Sequence, residues 1–166
     1  PVIQTISTGN PLPTASVIGA NGRMPPTEVI SNDSIGDVED SLFDPNEDGI
    51  DFYESLEGML VTIEAAVAVG PTNRYGEIPV VPDLGVWVSG LNARGGVVIQ
   101  ESDYNPERII LDDTLYSSEP MVDTGAAFVA PITGLLDYSF GNYKLQNTAA
   151  LPATTGSLEK ETTNLS

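Results

Sequence analysis

Residues 132–147, ITGLLDYSFGNYKLQN, decide the fold, because they hold two alternating runs separated by a glycine-containing turn. Gly141-Asn142 reads as the two-residue turn between strands 132–140 and 143–147. In that register Phe140 faces Tyr143 and Tyr138 faces Leu145. These four share one face with Ile132, Gly134 and Leu136, while Asp137, Ser139, Lys144 and Gln146 point the other way. Working upstream, the odd positions of 59–69 (Met59, Val61, Ile63, Ala65, Val67, Val69) are all apolar, which reads as one long half-buried strand. Residues 75–81 form a second strand, and Pro79 marks it as an edge or bulged one. Segments 97–100, 108–111 and 128–136 supply further short strands. Gly and Pro punctuation with almost no amphipathic helix points to an all-β domain, a barrel or a sandwich. The strand order is compatible with an OB-like barrel.

Outside this core, residues 1–42 read as a long irregular arm running into an acidic loop, since Pro11, Pro13, Pro25 and Pro26 interrupt helices and ladders alike. Acids at Asp33, Asp37, Glu39 and Asp40 lead into residues 51–57, which predict one short helix stopped at Gly58. The β core spans 43–149, and 150–166 reads as a flexible tail or linker. At 166 residues this is a single domain with chain enough to bury a core. No apolar run reaches the length of a membrane span, and the chain reads as a soluble monomer. It opens at Pro1 without an initiator Met, as expected of a piece of a longer protein.

Twenty-four acids against six bases give a net charge of −18. The six cations, Arg23, Arg74, Arg94, Arg108, Lys144 and Lys160, are scattered, so strong autonomous binding of nucleic acid is not expected. The chain contains neither His nor Cys. That removes Ser-His-Asp triads, Cys-His dyads, disulfides and imidazole- or thiolate-bound zinc. Nothing places Lys144 or Lys160 where a Ser-Lys dyad would need a desolvated base. Arg94-Gly95-Gly96 is a turn before a strand rather than a phosphate-cradling loop.

Two constellations carry candidate binding chemistry. In DPNEDGIDFYES, residues 44–55, Asp44, Asn46 and Asp48 occupy positions 1, 3 and 5 of an EF-hand-type loop, with Gly49 at position 6. A divalent cation would be held by these three, the Ile50 carbonyl and Glu54 or Glu57, Ca²⁺ being the ion such oxygens take. Ser55 stands where a bidentate carboxylate is required, so the simpler reading is an acidic turn in which Asp48 or Asp51 caps the helix. No cofactor is required by either reading. The second constellation is Tyr138, Phe140 and Tyr143, which could stack bases with Lys144 beside them for phosphate. Their shared face with Ile132, Leu136 and Leu145 favours core packing instead. Trp87 likewise reads as a packing anchor.

Several segments together resemble a known family: residues 43–61 (FDPNEDGIDFYESLEGMLV), 7–13 (STGNPLP), 22–30 (GRMPPTEVI), 66–78 (AVAVGPTNRYGEI), 93–99 (ARGGVVI), 105–113 (NPERIILDD) and 134–145 (GLLDYSFGNYKL). They are similar to the non-catalytic β module that precedes the catalytic domain of bacterial extracellular nucleases of the endonuclease/exonuclease/phosphatase type. The resemblance implies a secreted parent hydrolase whose metal-dependent catalytic domain lies downstream in the same chain. The fragment itself would then be no enzyme, with no catalytic residue, and would act as spacer, docking surface or substrate-side wall. The alternative is an independent binding module for calcium, glycan or single-stranded nucleic acid.

Overall fold

The computed structural model describes residues 4–33, 40–117, 120–156, 158 and 162–163; Asp37, Glu39 and Lys160 lie outside them. Its strands are β1 (Ser16–Ile18), β2 (Leu60–Ile63), β3 (Val67–Ala68), β4 (Ile78–Val81), β5 (Ile109–Asp112), β6 (Ala127–Phe128), β7 (Ile132–Ser139), β8 (Asn142–Asn147) and β9 (Thr154–Thr155), with one short helix, α1 (Gly49–Glu54). They form one mixed sheet in the order β1-β2-β7-β8-β5-β4-β3-β6-β9, parallel at β1–β2 and β5–β8 and antiparallel elsewhere. The chain is all-β, as its patterning implies. Among the described residues β1 and β9 do not pair, so the sheet is open and the OB-like barrel is not formed.

The sheet nevertheless wraps a single core. Ile18 of β1, Val61 and Ile63 of β2, Phe128 of β6 and Leu136 of β7 all belong to one buried cluster with Phe52 and Leu56. Strands from both ends of the sheet order therefore face one another, as in a sandwich. Two corners make this so. β2 and β3 are three residues apart in sequence but lie second and seventh in the sheet, so the expected continuous strand over 59–69 is broken. Ala65 turns the corner with φ of 47° and is exposed, and the buried positions switch from Val61 and Ile63 to Ala66 and Ala68. The corner carbonyls of Glu64 and Ala65 accept hydrogen bonds from the amides of Asp83 and Leu84 at 3.2 and 2.8 Å. Those two residues adopt φ of 53° and 52°. A left-handed backbone in non-glycine residues costs roughly 1 kcal/mol each, offset here by satisfying carbonyls that a sheet corner leaves without partners. The second corner, residues 129–131, splits the strand expected over 128–136 into β6 and β7.

Other expectations shift for identifiable reasons. β4 lies inside the sheet between β3 and β5, so Pro79 is not on an edge. Its carbonyl accepts from the Val69 amide just beyond the end of β3. The donor it lacks faces the same side, where the ladder is already ending. The arm contributes β1, and residues 150–156 contribute β9, with Leu151 packed on the core, so this part of the tail belongs to the domain. Segment 97–100 forms only isolated bridges. Trp87 is more than half exposed and so is not the packing anchor expected. The helix begins two residues earlier than expected, at Gly49.

The hairpin keeps its faces but not its turn. Tyr138 pairs with Tyr143 and Leu136 with Leu145, so the turn residues are Phe140 and Gly141, at φ of 51° and 76°, the twist that two-residue hairpins favour. Phe140 is consequently 96% exposed rather than core. Lys144, expected to face solvent, is 3% exposed, because β5 pairs in parallel beside β8 and brings Asp112 onto the same face, where it and Glu77 pack on the ammonium. Its ammonium contacts the carboxylates of Asp112, at 2.8 Å, and Glu77. Hydrogen bonding from Lys144 holds the Glu77 carboxyl below its ordinary range. Burial alone would raise Asp112, but donors from Lys144 and Thr114 outweigh it and lower the pKa.

Two substitutions test this geometry by chemical denaturation. Phe140→Ala is expected to cost less than about 0.5 kcal/mol. Lys144→Ala strands two carboxylates and should cost about 3 kcal/mol. A costly Phe140→Ala or a neutral Lys144→Ala would refute the observed register.

Candidate functional site

The acidic loop folds as a helical turn leading into α1: the amides of Glu47 and Asp48 both donate to the Asp44 carbonyl, at 2.9 and 3.1 Å. Residues 44, 48 and 51 are spaced four and three apart, which in helical geometry is one face. Carboxylate oxygens of Asp44, Asp48 and Asp51 accordingly lie within 4.8 Å of one another. Asp51 accepts the Asp44 amide at 2.7 Å, Asp48 accepts the Asn32 amide at 3.1 Å, and Asp33 accepts the Leu42 amide at 2.9 Å. Each bond uses one carboxylate oxygen. The other oxygens of Asp33 and Asp48, and one oxygen of Asp44, are buried with no hydrogen-bond partner. Asp48 is only 2% exposed. Desolvation, and then the charges of Asp48, Asp33, Glu47 and Asp51, raise the pKa of Asp44.

This is not the ligand set an EF-hand reading gives. α1 starts at Gly49, position 6 of that loop, so the following residues climb a helix instead of wrapping an ion. Asn46 is exposed, Glu54 and Glu57 fall outside the cluster, and the Ile50 carbonyl faces the Tyr143 hydroxyl at 3.4 Å. Asp51, expected only as a cap, joins Asp44 and Asp48 instead, and Asp48 sits at the N-cap without a side-chain capping bond. The i, i+4, i+7 spacing of the three aspartates was the available signal.

Beside the cluster lies a groove of about 750 Å³ between α1 and the β7–β8 hairpin. Asp51 lines both. Tyr143 stacks on Tyr53 with ring centroids 5.0 Å apart and meets Tyr138 at 4.9 Å. Its hydroxyl donates to Glu54 at 2.6 Å, and burial together with that carboxylate raises its pKa. Tyr104, Arg108 and Asn142 complete the groove, and Arg108 donates to Asn142 at 3.3 Å. The proposed base-stacking set is thus divided. Tyr138 and Tyr143 line the groove, whereas Phe140 and Lys144 do not, and the Lys144 charge is already committed to Asp112 and Glu77. Tyr138 is half exposed, which also departs from core packing. Tyr104 and Arg108 lie four residues apart just before β5 and Asn142 opens β8, so no single local pattern brings the three together.

Glu107 is buried next to the groove-lining Pro106 and Arg108, and one of its oxygens accepts the Ser89 amide at 3.1 Å while the other has no partner. Burial pushes its carboxyl up to about 7.

Fold and site together define an open all-β domain with a buried acidic cluster beside an aromatic groove. The chain belongs to the family described as a domain of unknown function, DUF8508, whose model matches residues 17–156. That match runs from Val17 within β1 through β9 and takes in both features. No curated protein and no solved structure matches the chain. Among the described residues no helix is long and apolar enough to cross a membrane.

Glu107 gives this region a pH signature. Its folded pKa lies above the unfolded value of 4.5, so the stability associated with its protonated form is complete below that value and is lost as pH rises through about 7. The loss should be on the order of 1–3 kcal/mol. Melting temperatures across this range should decline for the parent and stay flatter for Glu107→Gln. Parallel profiles would show that Glu107 titrates normally.

Proposed function

We propose that this chain is a non-catalytic accessory β domain, stapled by a bound divalent cation, that serves a downstream metal-dependent phosphodiesterase domain of an exported nuclease chain. The observation that carries the cation is the buried, partnerless oxygen of Asp48 set among Asp44 and Asp51. Like charges this close repel, and a buried carboxylate oxygen without a donor is costly. A cation removes both penalties at once. A cage built from carboxylates and free to take further oxygens favours Ca²⁺ over Mg²⁺, which demands tighter octahedral geometry and keeps its waters. Asp48, bonded to Asn32, and the Gly49 and Ile50 amides, bonded to the Val29 and Ile30 carbonyls, tie the arm to α1, so the ion would lock these segments together.

The accessory role rests on the sequence resemblance and on the chain's chemistry. With no His or Cys, it supplies none of the imidazole that metal-dependent phosphodiester cleavage commonly employs, and its −18 charge repels the substrate backbone. As spacer or docking wall it needs neither.

Calorimetry of the chain in calcium and in chelator tests the staple. Calcium at about ten times its dissociation constant should add roughly 1.4 kcal/mol, or about 3–5 °C in melting temperature. Asp44→Asn with Asp48→Asn should abolish the shift while leaving stability in chelator equal or higher. Identical melting curves for the parent in both buffers would eliminate the cation site. Hydrolysis of DNA or RNA by the isolated chain with Mg²⁺, Mn²⁺ or Ca²⁺, lost on mutating its carboxylates, would overturn the non-catalytic reading.

A further inference from the structure

We propose that the groove between α1 and the β7–β8 hairpin is a carbohydrate-binding site that takes pyranose rings against its tyrosines. Its volume, about 750 Å³, lies within the range of sites that enclose small ligands. What distinguishes it is the pairing of exposed aromatic surface with fixed polar groups. Tyr104 and Tyr138 are 52% and 50% exposed while lining a concavity. Rings so placed are not serving the core. They offer flat apolar faces with polar tips. A pyranose matches them, since its axial C–H bonds form an apolar face and its hydroxyls form a polar rim. Around the rings stand both kinds of partner that hydroxyls need: Glu54 accepts, and Arg108 donates. Both are held in place, Glu54 by the Tyr143 hydroxyl at 2.6 Å and Arg108 by Asn142 at 3.3 Å. Ser41, also on the lining, has a buried hydroxyl without a partner.

Charge decides between sugars and the other polymers that aromatic grooves hold. Asp51 and Glu54 line the groove against Arg108, the single cation on its lining among the described residues, and the cluster of Asp44 and Asp48 adjoins it. A phosphate backbone would meet net repulsion there. A neutral glycan does not, and one bearing a single carboxylate has Arg108 to receive it.

The inference goes beyond the cation staple, and Asp51, which the two sites share, is left unaltered in the test so that either can fail alone. The chain, in calcium-containing buffer, is titrated with cellohexaose, maltohexaose, chitohexaose and cellobiouronate, a disaccharide with one carboxylate, and followed by backbone amide NMR. Oligothymidylate and poly-L-proline serve as the competing classes. At least one sugar should bind with a dissociation constant of about 1 mM or tighter, moving amides of α1 and β8. Tyr104→Ala and Tyr138→Ala should each weaken it about tenfold or more, with the melting temperature unchanged for Tyr104→Ala and slightly lowered for Tyr138→Ala, which gives up its ring contact with Tyr143. If cellobiouronate is the ligand, Arg108→Gln should remove its advantage over neutral sugars. Three results would each overturn the proposal: no saturable sugar binding up to about 20 mM, binding indifferent to Tyr104→Ala, or binding of oligothymidylate or poly-L-proline alone.

Discussion

The ion cluster of Lys144 with Asp112 and Glu77 holds the seam on which the rest of the sheet depends. β8 and β5 are the parallel pair at which the limb β1-β2-β7-β8 meets the limb β5-β4-β3-β6-β9. Lys144 sits on β8, Asp112 ends β5, and Glu77 immediately precedes β4, so one ammonium spans three adjacent strands. Buried ion pairs contribute little net stability compared with apolar packing of the same volume. Their value lies in selectivity. A slip of β8 by one residue against β5 would turn Lys144 toward the core and leave two carboxylates unpaired. The hairpin register, and with it the placement of Tyr138 and Tyr143 opposite α1, follows from this seam.

The corners at residues 64–66 and 129–131 play the complementary part. Each lets a chain segment leave one limb and join the other within a few residues, which brings Ile18 and Phe128 into the same core. The first corner is held by the left-handed turn at Asp83 and Leu84, and that turn is tied in its turn to β1: the Asp83 carboxylate accepts the Ala20 amide at 2.7 Å. Gly19 passes so close that a Cβ there would lie 2.8 Å from that carboxylate. A side chain at position 19 would separate β1 from the corner it closes.

The all-β class was legible because alternation survives in β2 and β7, where Val61 with Ile63 and Ile132 with Leu136 are buried at a period of two, although β5 is buried throughout and β8 buries both Lys144 and Leu145. The corners were not, since the run of apolar residues continues straight through Ala65 and only the partner carbonyl bonds from Asp83 and Leu84 reveal the bend. The burial of Lys144 escapes the sequence pattern for a related reason. A single hairpin's pattern shows which face is apolar, but not that a distant strand will pair at its edge and set acidic side chains on the other. At the acidic loop the aspartates were visible, yet the template applied to them was a wrapped loop. The helical spacing of Asp44, Asp48 and Asp51 fits the geometry that forms. Tyr104, Arg108 and Asn142 converge only after β5 and β8 pair, so no local signal could assemble the groove.

The order of the strands has a kinetic consequence. The β7–β8 hairpin can close through a two-residue turn, which takes microseconds, whereas both parallel pairs join residues separated by more than thirty positions. Such non-local closures lose chain entropy before any packing repays it, which slows folding. The hairpin therefore forms early and waits with an exposed β8 edge until β5 arrives. During that interval an unpaired lysine on β8 discourages another chain from adding to the same edge. The residue that fixes the finished seam also guards it while it is open.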